Sequence, residues 1–432
     1  NIQVGEDDMQ VYILFSVFFI LLILGFPIAI TLGIASMAYL LIADISLTVI
    51  PQKMFAGIDS FVLLCIGGFI LAGNLMNRGN ITEQIIGLSN AMLGHIRGGL
   101  GLANVSGSML FGGVSGTAVA DTASIGSVMI PGMAKSGYDK PFAAAVTAAS
   151  STIGPIIPPS VPMIIVGTLT SISVGKLFLA GAVPGLLLGV GMMATTYFIS
   201  VKRGYPKEKR ATLSEIILHL RTSCWAISLT FLILIGIVGG FFTPTEASVV
   251  AALYAMIIGM FVYKGLSFRD LPKILLSTAV TTASLMLLVG LANVFGWILT
   301  SEKIPQMIAS AILTISENPI IVLLIINLLL LLVGSFMETI AALIILFPTL
   351  LGVATAVGVD PVHFGIIAVL NLMIGLTTPP VGVCLFVAAG IGGIPMEKVV
   401  KAIVPFLLCN LAVLLMVTYI PALSLWLPSV FL

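Results

Sequence analysis

The sequence predicts an all-α polytopic membrane protein arranged as an inverted repeat, and three observations carry that expectation. Apolar residues make up 59% of the 432 positions and charged ones only 8%, against about 25% charged in soluble domains. Ten apolar runs are long enough to be candidate crossings. Two stretches 221 residues apart, Gly154-Pro155-Ile156-Ile157-Pro158-Pro159 and Gly375-Leu376-Thr377-Thr378-Pro379-Pro380, interrupt hydrophobic helices with the same punctuation. Proline has no N–H and breaks the helical ladder, so each stretch should unwind and leave backbone carbonyls bare inside the protein.

The candidate crossings are 11–24, 28–42, 61–76, 142–170, 178–200, 225–240, 248–262, 276–299, 365–388 and 402–427. Two further regions have a Gly/Ser/Thr-containing middle and lack the charged turn expected between two full spans. They read as re-entrant hairpins, 98–136 and 318–357, tolerated because protein surrounds their tips. Segments 81–93 and 305–315 read as interfacial helices. Four cysteines, at 65, 224, 384 and 409, lie in apolar segments without ligand spacing and read as small core residues rather than disulfides.

The second half echoes the first. Gly25-Phe26-Pro27 aligns with Phe242-Thr243-Pro244, Asp121 with Glu338 and Pro131 with Pro348 at a separation of 217, and Gly137 with Gly358 and the two broken stretches at 221. This gives a polar tail over 1–8, a first repeat over 9–201 (hairpin 98–136, broken helix 141–175), a connector over 202–221, and a second repeat over 222–432 (hairpin 318–357, broken helix 362–392). Each repeat holds five crossings and one hairpin, an odd number that places the two halves in opposite orientations. With the Lys/Arg-rich connector on the cytoplasmic side, 15 of the 18 basic residues fall inside, leaving Lys53, Lys176 and Lys303 outside with the acidic start. The formal charge of +1 suggests neither nucleic-acid binding nor a polybasic anchor.

Paired broken helices are the best sequence pointer to the ion and substrate site of a secondary transporter. The first hairpin tip carries Ser115, Thr117 and the carboxylate of Asp121; the second carries Gly334, Ser335 and Glu338. A charge at bilayer depth costs about 2.5–3.5 kcal/mol on the insertion scale, so each carboxylate needs a partner. It either serves the ion or substrate region or caps the hairpin's second helix. The first sodium site is expected from Ser115, Thr117, Gly154 and Pro158, the second from Gly334, Ser335, Gly375, Thr377, Thr378 and Pro379, because hard cations prefer oxygen donors. That makes Na+, at two sites or more, the expected coupling ion. Ser115, Asp121, Ser160, Ser173 and Glu338 are the candidate substrate contacts. No Arg lies at predicted bilayer depth, so an acidic substrate would be held by helix termini, hydroxyls and a neighbouring cation. Glu246 reads as a first-turn carboxylate after Pro244, and His95, His219 and His363 fall at helix ends or loops, as interface histidines. Proton coupling of a dicarboxylate remains the alternative, and an ion channel a weaker one. An enzyme is not expected, since HExxH, GxGD and convergent His/Cys sets are missing from the sequence.

The run from Gly137-Tyr138-Asp139-Lys140-Pro141-Phe142 through Gly154-Pro155-Ile156-Ile157-Pro158-Pro159-Ser160, together with Phe242-Thr243-Pro244-Thr245-Glu246-Ala247, resembles the large membrane subunit of tripartite ATP-independent periplasmic (TRAP) transporters, most nearly the sialic-acid branch. The likeness covers residues 9–432. It implies an elevator-type, sodium-driven uptake system of a bacterial inner membrane, in which hairpins and broken helices slide against a scaffold. It also implies two partners: a small four-helix membrane subunit and a soluble periplasmic binding protein that delivers an organic acid such as sialic acid.

Overall fold

A computed structural model describes the backbone over residues 6–432, and the side chains there except those of 6–8 and 113–115. Among the described residues there are twenty α-helices and no strand. The first half begins with α1 (Glu6–Ile23) and α2 (Ile28–Ile42), joined through Gly25 at φ +81°, a left-handed conformation that glycine adopts freely. A short α3 (Val49–Ile58) follows that the sequence did not single out; its ten residues bury no side chain, so it has no strong apolar face. Next come α4 (Leu64–Arg78), preceded by a 3₁₀ turn, and α5 (Ile81–Leu93). The first hairpin is α6 (Gly99–Ser115) with α7 (Ala118–Lys135); the first broken helix is α8 (Lys140–Ser151) with α9 (Val161–Thr170); α10 (Val174–Arg203) closes the half.

The second half starts with α11 (Leu213–Val238) and α12 (Pro244–Ile257), the latter extended by a π-helical turn over Ile258–Val262. Each has a reciprocal cap at its start, Thr212 with Glu215 and Thr243 with Glu246, so Glu246 does occupy the first-turn role its sequence suggests. Then follow α13 (Leu271–Ser301), α14 (Ile304–Ile315), the hairpin α15 (Pro319–Gly334) and α16 (Thr339–Ala356), the broken pair α17 (Pro361–Gly375) and α18 (Val383–Gly392), and α19 (Met396–Tyr419) with α20 (Ala422–Phe431).

Several boundaries differ from those expected. The first broken helix stops at Thr170 rather than 175, because Ser171 turns into the left-handed region at φ +58°. The run 402–427 is two helices, since Pro421 cannot continue the ladder and pushes Ile420 out of helical geometry, at φ −121°. Only 204–212 of the connector is non-helical, α10 reaching Arg203 and α11 starting at Leu213. The 217-residue alignment also fails inside the hairpins. α7 and α16 both have 18 residues, starting at 118 and 339 and ending at 135 and 356, so they correspond at 221. On that register the partner of Glu338 is Thr117, and Asp121 sits one turn deeper, opposite Ala342. Cys224 is exposed, whereas Cys65 and Cys384 are buried as expected.

Among the described residues seven helices are long and apolar enough to cross a membrane by length and composition, among them α10, α11, α13 and α19. α16 also meets that length, yet it returns from α15 across only Ser335–Glu338. The broken helices gain their length by placing two short helices end to end. Packing separates an outer from an inner set. In the outer set α4 lies along α12, and α13 along α2 and α3. In the inner set α7 packs on α8 and α18, while α16 packs on α17 and α9. Each hairpin thus touches the first part of its own repeat's broken helix and the second part of the other's.

Glycine sets the outer spacing. A Cβ at Gly68 would fall 2.7 Å from the Cβ of Ser248 and 3.2 Å from its backbone carbon. Gly68→Ala should therefore destabilise the protein by about 1–3 kcal/mol through overpacking, read as a lower thermal unfolding midpoint in detergent. Adding Ser248→Gly should restore most of it; a single variant as stable as the parent would show that α4 and α12 can part without cost.

Candidate functional site

Two sites form where a hairpin tip meets a helix break. In the first, residues 152–160 leave the helix between α8 and α9 and are almost wholly buried. Gly112 of α6 and Gly154 touch backbone to backbone: a Cβ at Gly112 would lie 2.2 Å from the Gly154 Cα. From the other side, a Cβ at Gly154 would lie 2.1 Å from Asp121 Oδ2, so the missing side chain lets the carboxylate approach the break. Asp121 is 0% exposed. Gly116, at φ +65°, sets the tip against Val161, the first residue of α9. Among the described residues no amide donates to the carbonyls of Gly154, Ile157, Pro158 or Pro159. Thr117 is the N-cap residue of α7, and the Ser115 side chain lies outside the described residues.

In the second site Gly334 and Gly375 make the same approach, a Cβ at Gly375 meeting the Gly334 Cα at 2.6 Å. Thr377 and Thr378 both turn their hydroxyls back onto the Ile374 carbonyl at 2.9 Å, and Ser335 donates to the Leu332 carbonyl at 2.7 Å. The Gly375 carbonyl accepts the Thr378 amide, but those of Thr377, Thr378, Pro379 and Pro380 accept no amide among the described residues. Glu338 caps α16, accepting from the amides of Ile340 at 2.9 Å and Ala341 at 3.2 Å. Both Pro-Pro bonds, 158–159 and 379–380, are cis.

The remaining candidates lie elsewhere or have local tasks. Ser160 is fully buried, caps α9 by accepting from the Met163 amide, and donates to the Pro155 carbonyl. Ser173 is exposed at the start of α10, accepts from Lys176 and lines a different cavity with Phe242 and Pro244. His363 is buried, its ring between Ser424 Oγ at 2.6 Å and the Thr418 carbonyl at 3.2 Å, rather than at an interface.

What the sequence reading overlooked is a ladder of buried polar side chains leading to each glycine contact. Asn104 donates to Thr147 at 2.6 Å, Ser108 to Ser150 at 2.8 Å, and then Gly112 meets Gly154. Thr122 and Ser151 hydroxyls lie 2.5 Å apart, beside the Cys384 thiol of α18. On the other side Asn371 donates to Asn327 at 2.8 Å and Asn327 to Thr418 at 3.0 Å. The spacing of four between Asn104, Ser108 and Gly112 places them on one helix face, a signal present in the sequence.

A cavity opens beside each hairpin. One, of 580 Å³, lies between α4, α7 and α13 and is lined by Asn77, Arg78, Ser124, Ser127 and Lys273 among others. The other, of 440 Å³, lies between α13, α14 and α16, with Trp297, Thr300, Ile345 and Pro348 in its wall. Ser124 and Ile345, like Ser127 and Pro348, stand 221 apart, so matching walls build both.

Residues 15–423 match the family described as the DctM component of the tripartite ATP-independent periplasmic transporters. The chain belongs to that family. It is 44% identical, over 95% of its length and 97% of the relative's, to the sialic acid TRAP transporter large permease protein SiaM of Vibrio cholerae. It is 41% identical, over 92% and 94%, to the C4-dicarboxylate TRAP transporter large permease protein DctM of Pseudomonas aeruginosa. Among solved structures its fold is similar to the YdaH transporter of Alcanivorax borkumensis, with a TM-score of 0.63 over 99% of both chains at 12% identity. It is also similar to MtrF of Neisseria gonorrhoeae, at 0.57 over 97% of both and 14% identity. This DctM-family chain is accordingly a multi-pass membrane protein of the TRAP large permease family.

The close approach of Asp121 to Gly154 in this permease makes a stability prediction. Gly154→Ala should cost about 1–3 kcal/mol, the usual range for an inserted methyl group in a packed interior. Combining it with Asp121→Ala should recover part of that loss in thermal unfolding. Equal instability of the single and double variants would show that the carboxylate is not what the methyl group meets.

Proposed function

We propose that this permease carries out sodium-coupled secondary active uptake of an organic acid, sialic acid or a related carboxylate, by an elevator movement of the inner helices against the outer ones. The observation that carries the reading is the repeated placement of a hairpin tip on a helix break in which several carbonyls, those of Gly154, Ile157, Pro158 and Pro159 and of Thr377, Thr378, Pro379 and Pro380, accept no amide among the described residues. Sodium is a hard cation that takes oxygen ligands, and oxygen is what both places offer. The first has the carbonyls of Gly154 and Pro158 in one break, with Asp121 against Gly154, and the second has the Pro379 carbonyl in the same break as the hydroxyls of Thr377 and Thr378. Near the second, Thr339 Oγ1 and Asn371 Oδ1 are buried and find no hydrogen-bond partner among the described residues, which suits a bound ion or the group it organises. Among the described residues there is no cluster of three or more His, Cys, Asp or Glu, and the donors present suit an alkali cation more than a transition metal.

The substrate class draws on the relatives, whose names specify sialic acid and C4-dicarboxylates. Arg78 and Lys273 in the 580 Å³ cavity supply positive charge for such an anion, and the volume lies within the 300–1,000 Å³ usual for small-molecule sites. The partners in this reading are a small membrane subunit and a periplasmic binding protein that hands over the acid. The assembly sits in a bacterial inner membrane with the N-terminus periplasmic and the 202–221 connector cytoplasmic. Binding of sodium and acid to one set of helices couples the ion gradient to uptake as a free energy shared between sites.

Uptake by the reconstituted complex, with sodium and proton gradients imposed separately, tests this directly. Uptake should follow the sodium gradient, and Asp121→Ala should reduce it at least tenfold with membrane insertion unchanged, since a buried carboxylate has no ready substitute there. Uptake driven by a proton gradient alone would overturn sodium coupling in favour of proton-coupled dicarboxylate transport, and unaltered uptake by Asp121→Ala would remove that residue from the site.

A further inference from the structure

The structure assigns this chain a second ligand site, away from the hairpins, which we infer holds the phosphate headgroup of an acidic phospholipid. The start of α8, the end of α10 and the first turns of α19 converge on a cavity of 350 Å³ lined by Asp139, Lys140, Arg203, Lys398 and Lys401. Four cations from three helices face one carboxylate there, and that carboxylate is already engaged. Asp139 accepts from Arg203 at 2.9 Å and from the Tyr205 hydroxyl at 2.8 Å. Among the described residues, Lys140, Lys398 and Lys401 form no ion pair.

Stability of the helices does not account for these lysines. Lys140 is the first residue of α8 and Lys398 the third of α19. Helix N-termini carry positive partial charge, which favours anions and disfavours cations. Lysines at two helix starts around one concavity concentrate positive potential there; Asp139, engaged by Arg203, is the one carboxylate in the lining, and Glu397 lies on α19 outside it. The Gly137-Tyr138-Asp139-Lys140 motif divides accordingly. Tyr138 stacks against Tyr205 with ring centroids 4.6 Å apart and Asp139 ties down Arg203, which fixes the loop and leaves Lys140 facing the cavity.

The surfaces beyond the charges choose the ligand. On α19 the face that carries Lys401 continues into Val404 and Leu408, 47% and 62% exposed, at intervals of three and four residues. In a membrane-spanning chain such a face meets acyl chains. A headgroup phosphate accepts charge-assisted hydrogen bonds from several ammonium groups at once, and basic pockets between transmembrane helices recognise anionic lipid headgroups in this way. A soluble phosphate shares the head chemistry but has nothing to lay along α19.

The test counts lipids retained by the purified transporter in neutral detergent, by native mass spectrometry, after titration with phosphatidylglycerol or phosphatidylcholine. Parallel samples contain millimolar inorganic phosphate. Phosphatidylglycerol should be retained in preference to phosphatidylcholine and withstand the phosphate. The Lys140→Gln, Lys398→Gln, Lys401→Gln triple variant should weaken it about tenfold or more, given the attraction each lysine contributes. The single Lys401→Gln should weaken it less, and the corresponding triple arginine variant should retain it, with thermal unfolding in neutral detergent confirming that each variant is folded. Equal retention of both lipids, or undiminished binding by the folded glutamine variants, overturns the site. Displacement by inorganic phosphate overturns the lipid and leaves a soluble-anion site.

Discussion

The arrangement depends on two places where main chain meets main chain with no side chain between them, Gly112 on Gly154 and Gly334 on Gly375. A polypeptide can leave the helix inside a membrane only where other protein encloses it, because hydrocarbon offers no partner for a freed N–H or C=O. The glycine contacts supply that enclosure at its closest. They bring a hairpin tip onto each break; the first break, residues 152–160, is almost wholly enclosed, whereas at the second Thr377 is buried, Thr378 and Pro379 are half-buried and Pro380 is exposed. The polar ladders that run toward the contacts, Asn104 to Thr147 and Ser108 to Ser150 in one half and Asn371 to Asn327 in the other, hold the paired helices in register before the glycines meet.

The exchange between halves follows from the same geometry. Because α7 packs on α18 and α16 on α9, neither hairpin can move without carrying parts of both broken helices. Cys384 makes this concrete: it belongs to α18 in the second half, yet its thiol lies beside Thr122 and Ser151 of the first. The inner helices are thus one interlocked body by contact. The outer helices meet it through α4, α5, α13 and α14. A body of this kind is suited to displacement as a unit, since its internal contacts would be the same before and after the movement.

Much of this was legible in the sequence, for reasons that can be named. Hairpins and breaks announce themselves because glycine and proline change backbone chemistry wherever they occur, and α5 and α14 emerge at nearly their expected limits. The repeat was visible too, but not its register within the hairpins. Matching carboxylates and prolines suggested 217, whereas the helices themselves correspond at 221, because a carboxylate can serve equally as a cap, as Glu338 does, or from one turn inside, as Asp121 does. Side-chain chemistry alone does not separate those two positions. Ser160 and Ser173 have a local task that the sequence reading did not assign: serine is a frequent N-cap, and both are found capping the helix that follows. The ladder of Asn104, Ser108 and Gly112 was overlooked because each residue is common among apolar neighbours, and only their shared spacing carries information.

A repeated backbone gives two cavities from corresponding walls, and their differences therefore reside in side chains. The cavity between α4, α7 and α13 has Arg78, Lys273 and a row of serines; its counterpart has Trp297, Ile345 and Pro348 and no charged residue in its lining. Lys53 approaches that second wall only by lying over the Trp297 ring at 5.2 Å. An anion entering the first cavity gains Coulomb attraction from Arg78 and Lys273, whereas the second offers it only neutral partners, Asn293, Thr300, Gln306 and Thr349, among aromatic and aliphatic side chains. Ser124 and Ser127 correspond to Ile345 and Pro348 at a spacing of 221, so a few wall residues make the two ends chemically unequal.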